Sequence, residues 1–460
     1  MGCHWILGSL DDCSSDSDCV PHGPTVACLN NLCVTDPRCT VLGPTDGPAL
    51  VWGLVLPYTD NGVPDPNTPN WRNVLSLIVS EINPPVEQGV AGQPIRVISC
   101  NSDNDPTTAR NFAQRFLDNG IPAVISDGSS ETLNVAAATV PAGGLLMTGY
   151  SKSPEFTTLS ASPNGVRLAW RTMVSDAYVA QVAAAYLSGT LETGDAGPGS
   201  GTDAATTLPR VAVLARNDAY GQGFVGAFAP AYTGAQDAFY FDPSGDTDTT
   251  ALVNATAYAP AVTLFKGFPE DLVRLLNEIA QDGTYAQLVQ SKWIFDDQIL
   301  SPGLLGQLTN PGQVNGTLAV FAAAALGNPG HPAFTWLQQE FVQSYHLDPA
   351  VTPQVAAYSD AIMLIAVAAG TQAVTGRPLD GQHLATVLGR VSDVDGGAVI
   401  PLDPPNFSTA VSELAAGHDI NIEGASGPLD FDASTGEAVS DIDIYEIVDG
   451  GFSFIRAIAH

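Results

Sequence analysis

Basic side chains are scarce in this sequence. It has 16 Lys and Arg against 48 Asp and Glu, which gives a formal net charge of −32 at pH 7. A surface this acidic repels nucleic-acid backbones and anionic membranes, so we expect binding to neither. The simplest explanation for the acidic surface is that its solvated charges keep the protein in solution. Because so few lysines occur, the position of each one carries information: Lys152, Lys266 and Lys292.

Long apolar runs and the common catalytic patterns are also missing. No stretch approaches eighteen apolar residues uninterrupted by Gly, Pro or charge, so the sequence predicts no membrane-spanning helix. The patterns G-x-S-x-G, H-E-x-x-H and G-x-x-x-x-G-K-[ST] do not occur, and the seven histidines are scattered without metal-ligand spacing. The stretch DFDASTGE lacks the glutamate that a calcium loop requires, which favours a hairpin turn. We therefore expect no enzyme, no metal and no cofactor.

The cysteines lie mostly in a short N-terminal segment that is poor in large apolar residues. Such a segment needs crosslinks to hold its shape, and disulfides persist in oxidising compartments, so we expect the protein outside the cytosol. No CxxC…CxxC zinc spacing occurs. Gly2-Cys3 resembles the end of a bacterial lipoprotein cleavage site, which makes Cys3 a candidate for lipidation. Without Cys3, six cysteines remain, with fifteen possible pairings: Cys13, Cys19, Cys28, Cys33, Cys39 and Cys100.

Apolar runs alternate with amphipathic stretches from about residue 48 onward. Residues 50–56 (LVWGLVL) form a continuous apolar run, typical of a parallel strand buried on both faces. A helical pattern follows over 71–82, and a second strand is predicted over 94–99 (PIRVIS). The alternation repeats over 176–295, and antiparallel-looking strands end the chain. These βαβ units predict an α/β protein with two doubly wound parallel-sheet lobes that share a hinge.

Several motifs, in order along the chain, resemble those of a known family. They are LIVSEINPPVEQGVAGQPIRVISCNSDNDP, AVISDGSSETLNVAAATVPAGGLLMTGYSKSPEFT, WRTMVSD, VAVLARNDAYGQGF, AAYSDAIMLIAVAA and GPLDFDASTGE. The family is that of the type I periplasmic binding proteins, in the branched-chain amino-acid binding class. The resemblance implies a hinge of three crossovers that leaves the lobes able to rock. It divides the chain into a cysteine-rich segment, 1–47; lobe one, 48–170 plus 321–440; and lobe two, 171–320 plus 441–460.

By the same resemblance, the ligand lies in the cleft outside the strand ends, where its carboxylate meets a helix N-terminus. Ser129 would contact that carboxylate with help from Ser130, although these serines also suit plain capping of the helix. Tyr150, Ser151 and Lys152 occupy the place of a segment that holds the ligand's amino-acid head. A lysine departs from the usual Ser or Thr there. Lys152 would therefore bind an acidic group of the ligand or form an ion pair with Asp296 or Asp297 across the cleft; the alternative is that it points to solvent.

The second lobe supplies the other candidate site residues. Tyr220 matches a tyrosine that packs on the ligand, although burial at the lobe face would also explain it. Asp296 and Asp297 lie where the family often carries an acid that pairs with an ammonium; a solvated loop or a helix cap is the alternative. Phe268 would form an apolar wall, and Trp71 would cover the ligand from lobe one, although both residues also suit the core.

The resemblance implies an extracytoplasmic solute-binding protein with no catalytic activity. Its ligand would be a small polar molecule, an amino acid or a related carboxylate, delivered to an ABC permease complex. We expect a monomer in the periplasm or at the cell surface, in contact with the membrane only through a lipid anchor. The alternative is a sensory ectodomain of the same fold that signals through a partner protein.

Overall fold

The computed structural model describes most of the chain. The described residues are 13–29, 32–60, 62–65, 68–83, 92–159, 164–189, 208–300, 303–314, 316–322, 327, 330–349, 354–392, 395–449 and 451–458. Cys3, the candidate for lipidation, lies outside them. So does the side chain of Asp297, although its backbone begins a short 3-10 turn.

Strands and helices alternate through most of the described chain. The strands are β1 (Val26–Leu29), β2 (Leu32–Thr35), β3 (Cys39–Leu42), β4 (Leu50–Leu56), β5 (Thr59–Asp60), β6 (Val63–Pro64), β7 (Ile95–Asn101), β8 (Ala123–Ser126), β9 (Leu145–Thr148), β10 (Ala169–Arg171), β11 (Val211–Arg216), β12 (Gln236–Phe241), β13 (Val262–Lys266), β14 (Lys292–Phe295), β15 (Leu318–Ala322), β16 (Ala398–Pro401), β17 (Ile420–Glu423), β18 (Asp430–Asp432), β19 (Glu437–Val439), β20 (Ile442–Val448) and β21 (Gly451–Ile458). The α-helices are α1 (Thr68–Ile82), α2 (Pro106–Asp118), α3 (Ser129–Thr139), α4 (Pro154–Thr157), α5 (Asp176–Leu187), α6 (Ala219–Ala231), α7 (Asp248–Tyr258), α8 (Pro269–Gln281), α9 (Ala286–Gln290), α10 (Pro332–Tyr345), α11 (Val355–Thr375), α12 (Gly381–Leu388) and α13 (Pro404–Ala416). Short 3-10 turns cover Asp16–His22, Gly283–Tyr285, Asp297–Leu300, Leu305–Gln307 and Pro311–Val314.

The first sheet has eight strands in the order β3-β7-β4-β8-β9-β10-β19-β18. The strands from β7 to β19 run parallel, and β3 and β18 are antiparallel at the two edges. The predicted strand β4 is buried along nearly its whole length, as its unbroken apolar sequence requires. Gly53 in β4 lets α2 approach closely, because a Cβ there would lie 2.2 Å from the Phe116 ring.

The second sheet has seven strands in the order β12-β11-β13-β14-β15-β20-β21. The strands from β12 to β15 are parallel, and β20 and β21 are added antiparallel. In the first sheet, β4 has β7 on one side and β8 on the other. In the second sheet, β11 has β12 on one side and β13 on the other. This is doubly wound order, with one switch point between β4 and β8 and another between β11 and β13. The predicted fold class is confirmed.

Each sheet, with the helices packed on it, forms a lobe. The first sheet takes its strands from residues 39–171 and 430–439, and the second from 211–322 and 442–458. The chain passes from one to the other after β10, after β15 and after β19. The exact lobe boundaries stay a prediction.

Three disulfides hold the cysteine-rich segment: Cys13–Cys28, Cys19–Cys33 and Cys39–Cys100. They use all six cysteines other than Cys3. Cys13, Cys19 and Cys33 lie together, but each is bonded to another sulfur, so the group offers no thiolate to a metal. The third bond joins edge strand β3 to β7 and so fastens the segment to the first sheet.

A buried ion pair also ties this segment to the first lobe. Asp36 is fully buried, with Arg38 Nη2 2.9 Å and Arg115 Nη2 of α2 3.2 Å from its Oδ2. Side-chain and backbone hydrogen bonds from Arg38, together with the charges of both arginines, outweigh the effect of burial and lower the pKa of Asp36. The carboxylate therefore stays charged and paired.

Helix α11 is long and apolar enough to cross a membrane by length and composition. The apolar stretch that meets this criterion is wholly buried inside the protein, among the core residues of the first lobe. It is a core helix of this fold. Near the C-terminus, β18 and β19 pair antiparallel across the turn within DFDASTGE, which confirms the predicted hairpin.

Candidate functional site

A cavity of about 270 Å³ lies between the lobes, at the carboxyl ends of the parallel strands. From the first lobe its wall comes from segments that follow β4, β7, β8 and β9, and from the start of α11. From the second lobe it comes mainly from segments that follow β11 and β13. Both switch points therefore face the same space, which is where open α/β sheets place their ligands.

The N-terminus of α3 forms one wall of this cavity. Gly128 is its N-cap with φ 76°, a left-handed backbone conformation that favours glycine. Ser129 is the first helical residue and lines the cavity. The free N–H groups and dipole of this end favour an anion. Ser130 is not in the wall, and the helix shows no side-chain cap, so the capping alternative for the two serines is not observed.

Aromatic side chains from both lobes line the cavity. Trp71 and Tyr150 come from the first lobe, and Tyr220 and Phe268 from the second. The rings of Tyr220 and Phe268 stack with centroids 5.3 Å apart. Trp71 is held by a hydrogen bond of 3.2 Å from its Nε1 to Gln354 Oε1. Five predicted site residues thus meet at one cavity: Ser129, Trp71, Tyr150, Tyr220 and Phe268. Their contact with a ligand stays a prediction.

Lys152 and Asp296 lie beside the cavity wall and are not part of it. Lys152 is only 2% exposed, so the solvent-facing alternative does not hold. Its Nζ lies 3.9 Å from Asp176 Oδ1, which also accepts a 2.8 Å hydrogen bond from Lys266 Nζ. Lys266 Nζ lies 3.4 Å from Asp296 Oδ2 as well. These four residues, which we call the lysine–aspartate cluster, join the first lobe to the second through buried charges.

The cluster reaches the cavity through Tyr220, whose hydroxyl donates a 2.6 Å hydrogen bond to Asp296 Oδ2. Lys266 Nζ also lies 4.0 Å from the centre of the Tyr220 ring, in cation–π geometry. Ser151 is buried and lies outside the cavity wall, and no described residue hydrogen-bonds its Oγ. Tyr220 therefore has one face of its ring and its hydroxyl fixed by buried charges.

Sequence reasoning missed Asp127, which immediately precedes Gly128 and lines the cavity. Its Oδ2 accepts a hydrogen bond from the Tyr358 hydroxyl of α11. Burial raises the pKa of Asp127 to about 6. The available signal was its place at the end of a predicted strand, directly before the glycine and serine of the anion seat.

Glu131 was also missed. It is 2% exposed and lies in the first turn of α3. Burial, reinforced by the nearby carboxylates of Asp127 and Asp105, raises the pKa of Glu131 to about 8. The carboxyl group is therefore mostly protonated at pH 7. A proton on Glu131 removes the charge that would otherwise repel an anion at the start of α3.

The remaining charged residues of the wall are mostly acidic. Asp60 and Asp65 come from the segment after β4, and Glu270 from the start of α8. Among the described wall residues Arg216 is the basic one, and its Nε lies 2.7 Å from Asp218 and its Nη1 2.9 Å from Asp271. Its guanidinium also lies over Phe268 at 4.3 Å. Its charge is thus largely balanced by carboxylates of its own lobe.

Comparison with known proteins places the chain among binding proteins. The family model described as "Periplasmic binding protein" matches residues 53–451. The solved structure of a leucine-binding protein, LivK, from Thermotoga maritima is 18% identical, with a TM-score of 0.62 over 89% of this chain and 99% of that chain. LivJ from Streptococcus pneumoniae, in complex with isoleucine, is 14% identical, with a TM-score of 0.62 over 90% and 100%.

A solute-binding protein from Rhodopseudomonas palustris, in complex with 3,4-dihydroxybenzoic acid, is 16% identical, with a TM-score of 0.62 over 89% of this chain and 97% of that chain. At these identities the likeness to each structure demonstrates a common fold. Among curated proteins, none matches this sequence significantly.

Proposed function

This chain belongs to the periplasmic binding protein family, and we propose that it captures a small carboxylate solute, an amino acid or a related acid, between its two lobes. The observation that carries the proposal is that Ser129 and Tyr220, from opposite lobes, face one cavity at the two switch points. A helix N-terminus holds the carboxylate, and aromatic rings cover the apolar body. The wall holds groups that bind and orient, and the family is one of solute-binding proteins, so no catalysis is proposed.

Closure of the lobes would bury the solute. The closed form would also differ in shape from the ligand-free form, so a partner protein could distinguish the two. Three connecting segments allow such rocking while they keep the lobes tethered. We propose that the loaded protein, a monomer, delivers its solute to an ABC permease. The disulfides support a location in the periplasm or at the cell surface, and lipidation of Cys3 would anchor it there. A permease and an ATPase encoded beside this chain would support import, and a sensor kinase would support signalling.

A thermal-shift screen of amino acids and organic acids tests capture. A ligand present at 100 times its Kd stabilises the folded state by about 2.7 kcal/mol, so a binder raises the melting temperature by a measurable amount. Isothermal titration with Ser129→Ala should then show a Kd about 10-fold weaker for the strongest binder, because one hydrogen bond to its carboxylate is lost.

Ser408→Ala is the matched control, because Ser408 is exposed on α13 of the same lobe, outside the cavity wall. Its Kd should equal that of the wild type. A screen in which no small molecule changes the melting temperature would contradict the proposed capture. Equal weakening by both serine substitutions would contradict the placement of the carboxylate at α3.

A further inference from the structure

Helix α6 of the second lobe contains three glycines, and their surroundings differ. A Cβ on Gly221 would lie 2.1 Å from the backbone oxygen of Arg216, within the same lobe. A Cβ on Gly226 would meet no atom within 4 Å. A Cβ on Gly223 would lie 2.8 Å from Cδ of Pro154, the first residue of α4 in the first lobe. At Gly223, therefore, the two lobes touch through a residue that has no side chain.

The backbone does not account for a glycine at position 223. Gly223 lies inside α6 in an ordinary helical conformation, which alanine adopts more readily than glycine. The atoms that its Cβ would approach are Cδ, Cγ and N of Pro154, at 2.8, 3.5 and 3.8 Å, and all of them belong to the other lobe. A methyl group would have to move from 2.8 Å to at least 3.4 Å from Cδ to make an ordinary contact.

Pro154 is fixed within the first lobe. Arg171 Nη1 donates a hydrogen bond of 2.8 Å to the carbonyl of Ser153, directly before the proline. Arg167 Nη2 donates one of 2.7 Å to the carbonyl of Phe156, whose ring is fully buried in the core of that lobe. The ring of the proline locks its own φ angle. Helix α4 therefore cannot retreat from a new methyl group without disturbing its lobe.

Gly223 is fixed equally well within the second lobe. Asp218 caps α6 by accepting hydrogen bonds of 3.0 and 3.1 Å from the N–H groups of Tyr220 and Gly221. Phe224, the next residue along the helix, is buried in the core of the second lobe. Because both sides of the contact are held by their own lobes, extra volume at position 223 is accommodated most easily by separating the lobes.

We propose that Gly223 and Pro154 form a steric stop that sets how far the two lobes close, and with it the size of the closed cavity. Neither residue lies in the cavity wall. Tyr220, three residues before Gly223 on the same helix, lines the cavity opposite Ser129 of the first lobe. A larger residue at position 223 holds these two walls farther apart. The inference rests on the proposed function and adds residues that determine affinity and size preference without touching the solute.

Isothermal titration of Gly223→Ala tests the stop. The probes are alanine, leucine and phenylalanine, which increase in size, together with benzoate. An extra methyl group forced into a packed contact should weaken the Kd of the best-binding probe about 10- to 100-fold. Among the probes that bind, the smallest should lose the most affinity, because a less closed cavity leaves it the fewest contacts.

Gly226→Ala is the matched control. It makes the same substitution three residues further along α6, where the new methyl group enters open space, so its Kd values should equal those of the wild type. If Gly223→Ala also binds every probe as the wild type does, the stop is overturned while capture stands. If the wild type binds no probe, the proposed function fails and the inference fails with it.

Pro154→Ala provides a rescue of Gly223→Ala. Alanine lacks the Cγ and Cδ atoms that the new methyl group would meet, and it is compatible with the first turn of α4. The double variant should therefore bind as tightly as Pro154→Ala alone. A double variant as weak as Gly223→Ala would refute the stop, because the loss of affinity would then arise within α6.

Melting temperatures of the ligand-free proteins separate an effect on closure from damage to the fold. Gly223→Ala and Gly226→Ala should both melt no lower than the wild type, because the lobes can stay apart and alanine favours the helix. A lower melting temperature for Gly223→Ala alone would make the contact a permanent part of the packing, and the proposed role in closure would be wrong.

Discussion

Lys266 Nζ lies 2.8 Å from Asp176 Oδ1, and both side chains are almost fully buried. Asp176 is the first residue of α5, directly after the first passage of the chain between lobes, and Lys266 ends β13. The backbone of Asp176 also donates a hydrogen bond of 2.8 Å to the carbonyl of Lys152. The start of α5 is therefore held by the charge of Lys266 from its own lobe and by the charge and backbone of Lys152 from the other.

Lys266→Met should destabilise the protein strongly. The substitution leaves Asp176 and Asp296 buried without their closest cation, which costs about 3–5 kcal/mol of unfolding free energy. Lys292→Met is the matched control, because Lys292 is exposed at the start of β14, and its effect should stay within about 0.5 kcal/mol. Urea denaturation compares the two, and equal stabilities would contradict a structural role for the cluster.

Gly53→Ala should destabilise the first lobe. The new methyl group would lie 2.2 Å from a carbon of the Phe116 ring, so the side chain or the backbone has to move, at a cost of about 1–3 kcal/mol. Gly226→Ala in α6 is the opposite case, because the new methyl group enters open space and alanine favours a helix by about 1 kcal/mol. We expect Gly53→Ala to lower the melting temperature and Gly226→Ala to raise it. An unchanged melting temperature for Gly53→Ala would mean that α2 packs less closely on β4 than the structure shows.

Loss of the Cys39–Cys100 disulfide should lower stability more than loss of Cys13–Cys28. The first bond spans 61 residues and joins edge strand β3 to β7 of the first sheet. The second spans 15 residues inside the N-terminal segment. Removing a disulfide typically costs 2–5 kcal/mol, more for the longer loop in the chain-entropy account. Calorimetry of the two double serine variants measures the difference. Equal melting temperatures would show that β3 adds little to the sheet.

Stability of the ligand-free protein should fall as the pH rises from about 5 to 8. Burial raises the pKa of Glu131 to about 8 and that of Asp360 to about 7. The folded state therefore binds protons more tightly than the unfolded state. The resulting stability is complete below the unfolded pKa values, near 4, and is lost as the pH passes through the folded values.

Glu131→Gln isolates one contribution to this pH dependence. The amide stays neutral, so at pH 8 the variant should exceed the wild type by about 1–3 kcal/mol, and at pH 4 the two should be nearly equal. Unfolding free energies from urea titrations at the two pH values give the comparison. An identical pH slope in both proteins would show that Glu131 is already ionised.

Local sequence patterns were enough to predict part of the site. Ser129 follows a buried strand and a glycine and precedes a helical stretch, so its place at a helix start near the sheet edge depends on neighbours in sequence. Tyr220 follows Asp218, which caps α6 through hydrogen bonds to the Tyr220 and Gly221 N–H groups. For both residues, the strand and the cap that position them lie within a few residues.

The remaining features depend on contacts between distant parts of the chain. The ion pair of Lys152 could not be identified from the sequence. It depends on Asp176, which follows the first passage between lobes, and Asp176 is in turn held by Lys266. Asp127 was not singled out from the sequence, because its orientation is set by Tyr358, which lies 231 residues away. Periodicity and capping do not report such contacts.

The bond between Cys39 and Cys100 also determines how the molecule would bear load. Tension applied to the N-terminal segment passes through that bond into β7, an interior strand, so β3 cannot be peeled from the edge. An anchor at the N-terminus would thus hold the first lobe. The second lobe, tethered to the first by three connecting segments, would be the part that moves.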